Sequence, residues 1–192
     1  GTINIVVGEC NDSKLNSIRT LPVTPEHAIQ AIEGATEQKV TEGAVGAGTG
    51  MTCFGYKGGI GSASRIIVQE NGQYTVGCLV LSNFGTKEEF QWDKYHLQEN
   101  NNNSERPNDG SIIIVLATDA PLSSRQLKRI IKRCGIGLGR TGSHFSHGSG
   151  DIVIGFTTAY KIPHFSDELL EIRQQLRDDH PVMNELFTAA AE

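Results

Sequence analysis

At 192 residues, with 17 Lys and Arg against 22 Asp and Glu and a net charge of −5, the chain suits one domain with a substantial core. The acidic balance argues against nucleic acid as a main partner, because no basic excess exists to meet phosphates. No apolar stretch is long enough to span a bilayer, and four scattered cysteines without CxxC or Cys/His ligand spacing predict neither a metal site nor disulfides, with a reducing, cytoplasmic setting as the default.

Ile3 to Val7 is a short, mostly apolar run that predicts a buried strand, and it ends at Gly8-Glu9-Cys10-Asn11-Asp12. A carboxylate and an amide just beyond a strand end are well placed for a site, and they are equally ordinary loop residues. Thr24-Pro25-Glu26 opens a helix with a capping hydroxyl, proline at the first helical position and an acid in the first turn. Ala28, Ile29, Ala31 and Ile32 give its apolar face, Gly34 ends it, and His27 in its first turn is expected to be solvated or capping.

Two glycine-dense stretches follow, Gly43 to Met51 and Phe54 to Arg65. A phosphate loop is excluded on pattern: Lys57 stands between Tyr56 and Gly58, so the Gly-Lys-Ser/Thr ending is missing, and strands rather than a helix come next. Arg65 to Val68 and Tyr74 to Leu81 are strand-like runs joined by Asn71-Gly72, a strong hairpin signal. The glycines are therefore expected to serve close backbone approach and tight turns. The second run ends in Ser82-Asn83-Phe84-Gly85, where the amide of Asn83 either closes an Asx-turn or donates into a cleft. Lys87 to Gly110 is highly polar and predicts an exposed or disordered loop, with Trp92 and Tyr95 able to pin part of it.

Asn108-Asp109-Gly110-Ser111-Ile112-Ile113-Ile114-Val115 has two readings. One is a turn feeding a buried strand. The other is a self-cleavage site, in which small Gly110 lets the Ser111 hydroxyl attack the preceding carbonyl and Ser111 becomes an N-terminal nucleophile with its own amine as base. Farther on, Leu127, Ile130, Ile131 and Cys134 form one helical face, with Gly135 as its stop and a glycine-rich stretch, Gly137 to His144, after it. Ser149 and Asp151, at i and i+2 entering the strand Ile152 to Phe156, face one side, so both could point at one site. Asp167 to Arg177, capped by Ser166, and Pro181 to Ala191 predict the last helices.

Together, Glu42 to Met51, Phe54 to Arg65, Tyr74 to Gly77, Asp109 to Ile113 with Ala117 to Leu122, and Arg140 to Ser143 with Gly148 to Asp151 resemble the L-aminopeptidase/D-esterase and β-peptidyl aminopeptidase family of self-processing serine hydrolases. The family is related to the ornithine acetyltransferases. The resemblance implies an α/β fold, two sheets sandwiched between helices (αββα) as in N-terminal-nucleophile hydrolases. It implies cleavage after Gly110, Ser111 as nucleophile, Ser149 beside it, Asp151 where many relatives carry Glu, and Asn83 in the oxyanion hole. Glu9 matches the acid that receives the substrate's free amine. Asn11 stands where a tyrosine, a second oxyanion donor, is expected. The implied substrates are small peptides, amides or esters with a free amine, with no cofactor, and the expected assembly is a homo-oligomer. Residues 1–192 are expected to be one catalytic domain of a longer precursor, with 1–110 and 111–192 as the two products of cleavage. The rival readings are an acyltransferase of the ornithine acetyltransferase type, disfavoured because threonine is its expected nucleophile, and a non-catalytic, uncleaved domain.

Overall fold

The computed structural model describes residues 5–70, 72–95 and 110–192, with Tyr95 described by its backbone alone. Helix α1 (Pro25–Glu33) starts as its cap predicts. The Thr24 N–H donates to His27 Nδ1 at 3.0 Å, so the histidine helps to cap the helix. A short 3-10 turn, Gly46–Gly50, leads into a two-stranded antiparallel pair, β1 (Thr52–Cys53) and β2 (Tyr56–Lys57). The long strands β3 (Gly59–Gln69) and β4 (Gly72–Asn83) then form the expected antiparallel hairpin. After α2 (Trp92–Tyr95) come β5 (Gly110–Thr118), α3 (Ser124–Ile131), α4 (Cys134–Thr141), β6 (Ser149–Thr157) and α5 (Val182–Ala191).

β3, β4, β5 and β6 line up in that order as one mixed sheet. Its first three strands are antiparallel and β5–β6 is parallel. A parallel neighbour needs a long crossover, and α3 with α4 supplies it. The chain is thus α/β, with α3, α4 and α5 against one face. Along β5 the burial alternates: Ile112, Ile114, Leu116 and Thr118 are buried, and the residues between them are only half-buried. Ile130, Cys134 and Leu138 from α3 and α4, with Val182, Met183 and Leu186 from α5, close over the buried set. Leu116, Ile130 and Leu186 are wholly shielded from solvent, a state worth about 1.5–3 kcal/mol for each such side chain. On the other face, Leu79, Val115 and Ile154 share one row and Phe156 lies in the next, and Leu79 and Phe156 remain exposed.

Two glycines show why the glycine-dense stretches are needed. Gly43 and Ile60 exchange backbone hydrogen bonds, and a Cβ on Gly59 would fall 2.2 Å from the Gly43 carbonyl oxygen. A Cβ on Gly58 would fall 2.4 Å from the carbonyl oxygen of Ser82. Only bare backbone fits at such approaches.

Several expectations need correction. Residues 5–7 form no strand, and Ile5, Val6 and Val7 are exposed, since they join no ladder among the described residues and pack no apolar face; Ile3 lies outside the described residues. Gly135 does not stop the helix. The chain turns at Lys132–Arg133 and continues as α4 up to Gly142, whose φ is +113°. Burial of Cys134 and Leu138 outweighs the helical cost of glycine, about 1 kcal/mol each. Gly137 is also required there, since a Cβ would lie 2.6 Å from the Ala191 carbonyl oxygen on α5. The stretch Asp167 to Arg177 is irregular, and Leu169, Leu170 and Ile172 are exposed. Short helices are marginal in water without a packed face, and of this stretch only Leu176 packs against the core. Trp92 does pin the start of the polar stretch, as expected, meeting the Tyr56 and Phe90 rings at 5.2 and 4.6 Å, whereas Lys87 is buried and not exposed. Residues 96–109, including Asn108 and Asp109, lie outside the described residues.

Candidate active site

β4 runs antiparallel to β5, so the end of β4 meets the start of β5, and parallel β6 starts at the same sheet edge. The topology therefore collects Asn83, Gly110, Ser111, Ser149 and Asp151 there. Asn83 pairs with Ser111, and Ser111 pairs with Gly150; Gly110 pairs with Ser149, and Ile112 with Asp151. Strand alternation then sorts the side chains. Ser111 shares a face with Asn83 and Gly150, while Ser149 and Asp151 share the other face with Ile112. A Cβ on Gly150 would be 3.5 Å from Ser111 Oγ, so the hydroxyl lies over the bare glycine. Among the described residues, no side-chain hydrogen bond occupies Ser111 Oγ.

Ser149 Oγ donates to Asp151 Oδ1 at 2.7 Å, the contact that i, i+2 spacing allows. Its proton is committed to the carboxylate, and its lone pairs can still accept. His144 and His147 are exposed in the preceding loop, and no hydrogen bond among the described residues joins either to this pair. No Ser-His-Asp arrangement exists at these positions.

Asn83 bonds to distant segments rather than closing a local turn. Its Oδ1 accepts from the Thr52 N–H at 3.0 Å, and its Nδ2 donates to the Asn11 carbonyl at 2.8 Å. The first bond sets which end of the amide is the donor, and the second uses only one of its two N–H groups. The other N–H can serve a developing oxyanion. Asn11 itself turns its Oδ1 to the Ser13 N–H at 2.9 Å.

The Gly8–Asn11 segment crosses the Ser111 face. A Cβ on Gly8 would lie 3.2 Å from Ile113 Cδ1, and Asn11 is tied to Asn83. Glu9 is exposed on this segment, and among the described residues no hydrogen bond or ion pair engages its carboxylate. Between them Cys10 is half-buried; burial pushes its thiol up to about 11, and the Asp151 and Glu9 carboxylates add to the shift. Among the described residues, no three His, Cys, Asp or Glu side chains gather as a metal ion would require.

The reading of the sequence missed Lys57. Its ammonium donates to the carbonyl oxygens of Gly48, Met51 and Gly58 at 2.7, 3.1 and 2.9 Å. The only local hint was a cation set among glycines with no acid beside it, which no spacing rule interprets.

Known proteins share this arrangement of chain. Beta-peptidyl aminopeptidase BapA of Sphingosinicella microcystinivorans is 41% identical over 97% of the chain and 52% of its own length. The structure superposes on the PH0078 protein of Pyrococcus horikoshii OT3 with a TM-score of 0.86 at 47% identity, covering 100% of this chain and 52% of that one. It superposes on the L-aminopeptidase D-Ala-esterase/amidase of Ochrobactrum anthropi, described as a new variant among the Ntn hydrolase fold, with a TM-score of 0.78 at 33% identity, covering 94% of this chain and 49% of that one. The chain thus spans about half the length of the relatives it matches. Residues 1–192 match the model of Peptidase family S58 throughout, and the chain belongs to that family.

Proposed function

We propose that this chain carries the catalytic machinery of a self-processing serine aminopeptidase that releases N-terminal residues from peptides, amides or esters. The observation that carries the reading is the pairing of Ser111 with an Asn83 amide already oriented by Thr52 and Asn11. Ser111 Oγ attacks the Gly110 carbonyl, the peptide C–N bond breaks as the Ser111 nitrogen takes up a proton, and Gly110 is left as an ester on Oγ. Water hydrolyses that ester to the Gly110 carboxylate and the free hydroxyl, and residues 1–110 and 111–192 become separate parts of one catalytic domain. The freed Ser111 amine, with an ordinary pKa of about 7.7–8.0, is partly neutral near pH 7 and accepts the hydroxyl proton in later turnovers. That amine forms between the Gly110–Ser149 and Ser111–Gly150 rows, so Ser149 and Asp151 serve the amine, and Asn83 serves the oxyanion on the other face. Water releases the acyl group. Glu9 receives the substrate's ammonium, and the one uncommitted N–H of Asn83 is the oxyanion donor, with Asn11 orienting it through its carbonyl.

The half-covered apolar face of the sheet supports a two-sheet sandwich, with a second sheet from the longer precursor closing over Leu79, Val115, Ile154 and Phe156. The same longer protein is expected to be a cytoplasmic homo-oligomer. Intact mass with N-terminal sequencing tests the central claim. The wild type should yield a fragment beginning at Ser111, and Ser111→Ala should give one unbroken, inactive chain. Normal processing of that variant would remove Ser111 as nucleophile.

A further inference from the structure

We propose that Lys57 is a positioning residue for the oxyanion hole, acting through one peptide unit on Asn83; the proposal rests on the reading of Asn83 given above. The Met51 carbonyl, which accepts from the Lys57 ammonium at 3.1 Å, belongs to the same peptide as the Thr52 N–H that donates to Asn83 Oδ1. A cation on the oxygen of a peptide draws electron density from its N–H and strengthens the bond that this N–H donates. The ammonium thus fixes the plane of the peptide and polarises it towards the amide that it orients.

Much of the lysine side chain is exposed, yet its head turns back and uses all three N–H donors on carbonyls. No carboxylate among the described residues pairs with it. Its partners come from three places: the 3-10 turn at Gly48, the entrance to β1 at Met51, and Gly58 just after β2. The Gly58 N–H also donates to the Met51 carbonyl at 2.9 Å, so the backbone holds one side of that oxygen and the ammonium the other. Gly58 can come so close only because it lacks a Cβ, which would stand 3.1 Å from the Met51 carbonyl carbon. Removal of the ammonium leaves the turn attached through Gly58 but frees the peptide to rock, and the Asn83 donor with it. Lysine suits the place because three converging carbonyls match a tetrahedral ammonium; a planar guanidinium cannot meet all three.

The test is a double-mutant cycle on the complete protein, with kcat expressed per mole of free Ser111 N-terminus. Asn83→Ala should lower kcat by about 10²–10³, as loss of an oxyanion donor does. Lys57→Met should lower kcat by about tenfold with KM within about twofold, since the lost interaction matters only as charge develops. In the Asn83→Ala background the same substitution should change kcat by less than about twofold, because the route it acts through is gone. Lys57→Gln, which keeps two donors without the charge, should fall between, and it carries the cycle if Lys57→Met does not fold. A tenfold loss in both backgrounds would mean a general structural fault and would overturn the proposal, as would wild-type kcat in a folded Lys57 variant. An unaffected Asn83→Ala enzyme would overturn the oxyanion assignment first and the lysine's role with it.

Discussion

Asp151→Asn separates charge from shape at the candidate site. Asparagine keeps an oxygen acceptor for the Ser149 hydroxyl, which now bonds to Asp151 Oδ1 at 2.7 Å, so the local geometry should survive. Exchange of a charged acceptor for a neutral one costs about 1 kcal/mol of stability, and partial exposure of the residue reduces that further. The catalytic effect should be larger. As Ser111 Oγ loses its proton, the Ser111 amine gains a positive charge, and Asp151 lies on the neighbouring strand one residue beyond Gly150, the partner of Ser111. Strand spacing of about 4.8 Å, a rise of about 3.3 Å and the reach of the side chain put the charges about 7 Å apart. At an effective dielectric constant of about 20 the attraction is about 2 kcal/mol, or about 30-fold in kcat. The sign of the pH effect is fixed as well. The carboxylate favours the protonated amine, so its removal lowers the amine pKa and moves the acidic limb of the kcat profile to lower pH. Steady-state kinetics across pH and thermal unfolding on one preparation, normalised to free Ser111 N-termini, measure all three. Unchanged kcat and an unmoved profile with a lowered Tm would show that Asp151 only ties down the start of β6.

Glu9→Gln should raise KM by about tenfold and leave kcat within about twofold, because an exposed carboxylate facing an ammonium binds ground and transition states alike; equal turnover of N-acetylated and free-amine substrates would remove that role. Cys10, held near 11 by burial and by the Asp151 and Glu9 carboxylates, should resist iodoacetamide at pH 8 and react progressively faster towards pH 11. Asp151→Asn should move that rise to lower pH, as followed by mass spectrometry of the alkylated peptide, and rapid labelling at pH 7 would contradict the assignment.

Much of the frame was legible because it depends on near neighbours in sequence. Asn71-Gly72 between β-branched runs foretold the β3–β4 hairpin, and the Ile112 to Val115 run foretold β5. Strand alternation put Ser149 and Asp151 on one side, where the structure shows them hydrogen-bonded. What failed depended on partners that periodicity does not reveal. Ile5 to Val7 and Leu169 to Ile172 have strand and helix chemistry but no packed face here. The glycines of α4 read as a break because their use, a close approach to Ala191, lies across the fold. Lys57 was hidden for the same reason, since its effect passes through carbonyls and one N–H that become neighbours only when β1 meets the end of β4.

Under the proposed self-cleavage, the division of the site between two sheet faces has a physical rationale. A serine that attacks its own preceding carbonyl must have its hydroxyl and the oxyanion donor on one side of the strand. The amine released by the break arises from the backbone, in the plane of the sheet, where groups on the other face can reach it. Ser111 with Asn83, and Ser149 with Asp151, satisfy those two demands without competing for space, and Gly150 leaves room between them. A Cβ at position 150 would stand 3.5 Å from the Ser111 hydroxyl, in ordinary van der Waals contact with it, so the face-by-face sorting and not a bare glycine is what the site depends on.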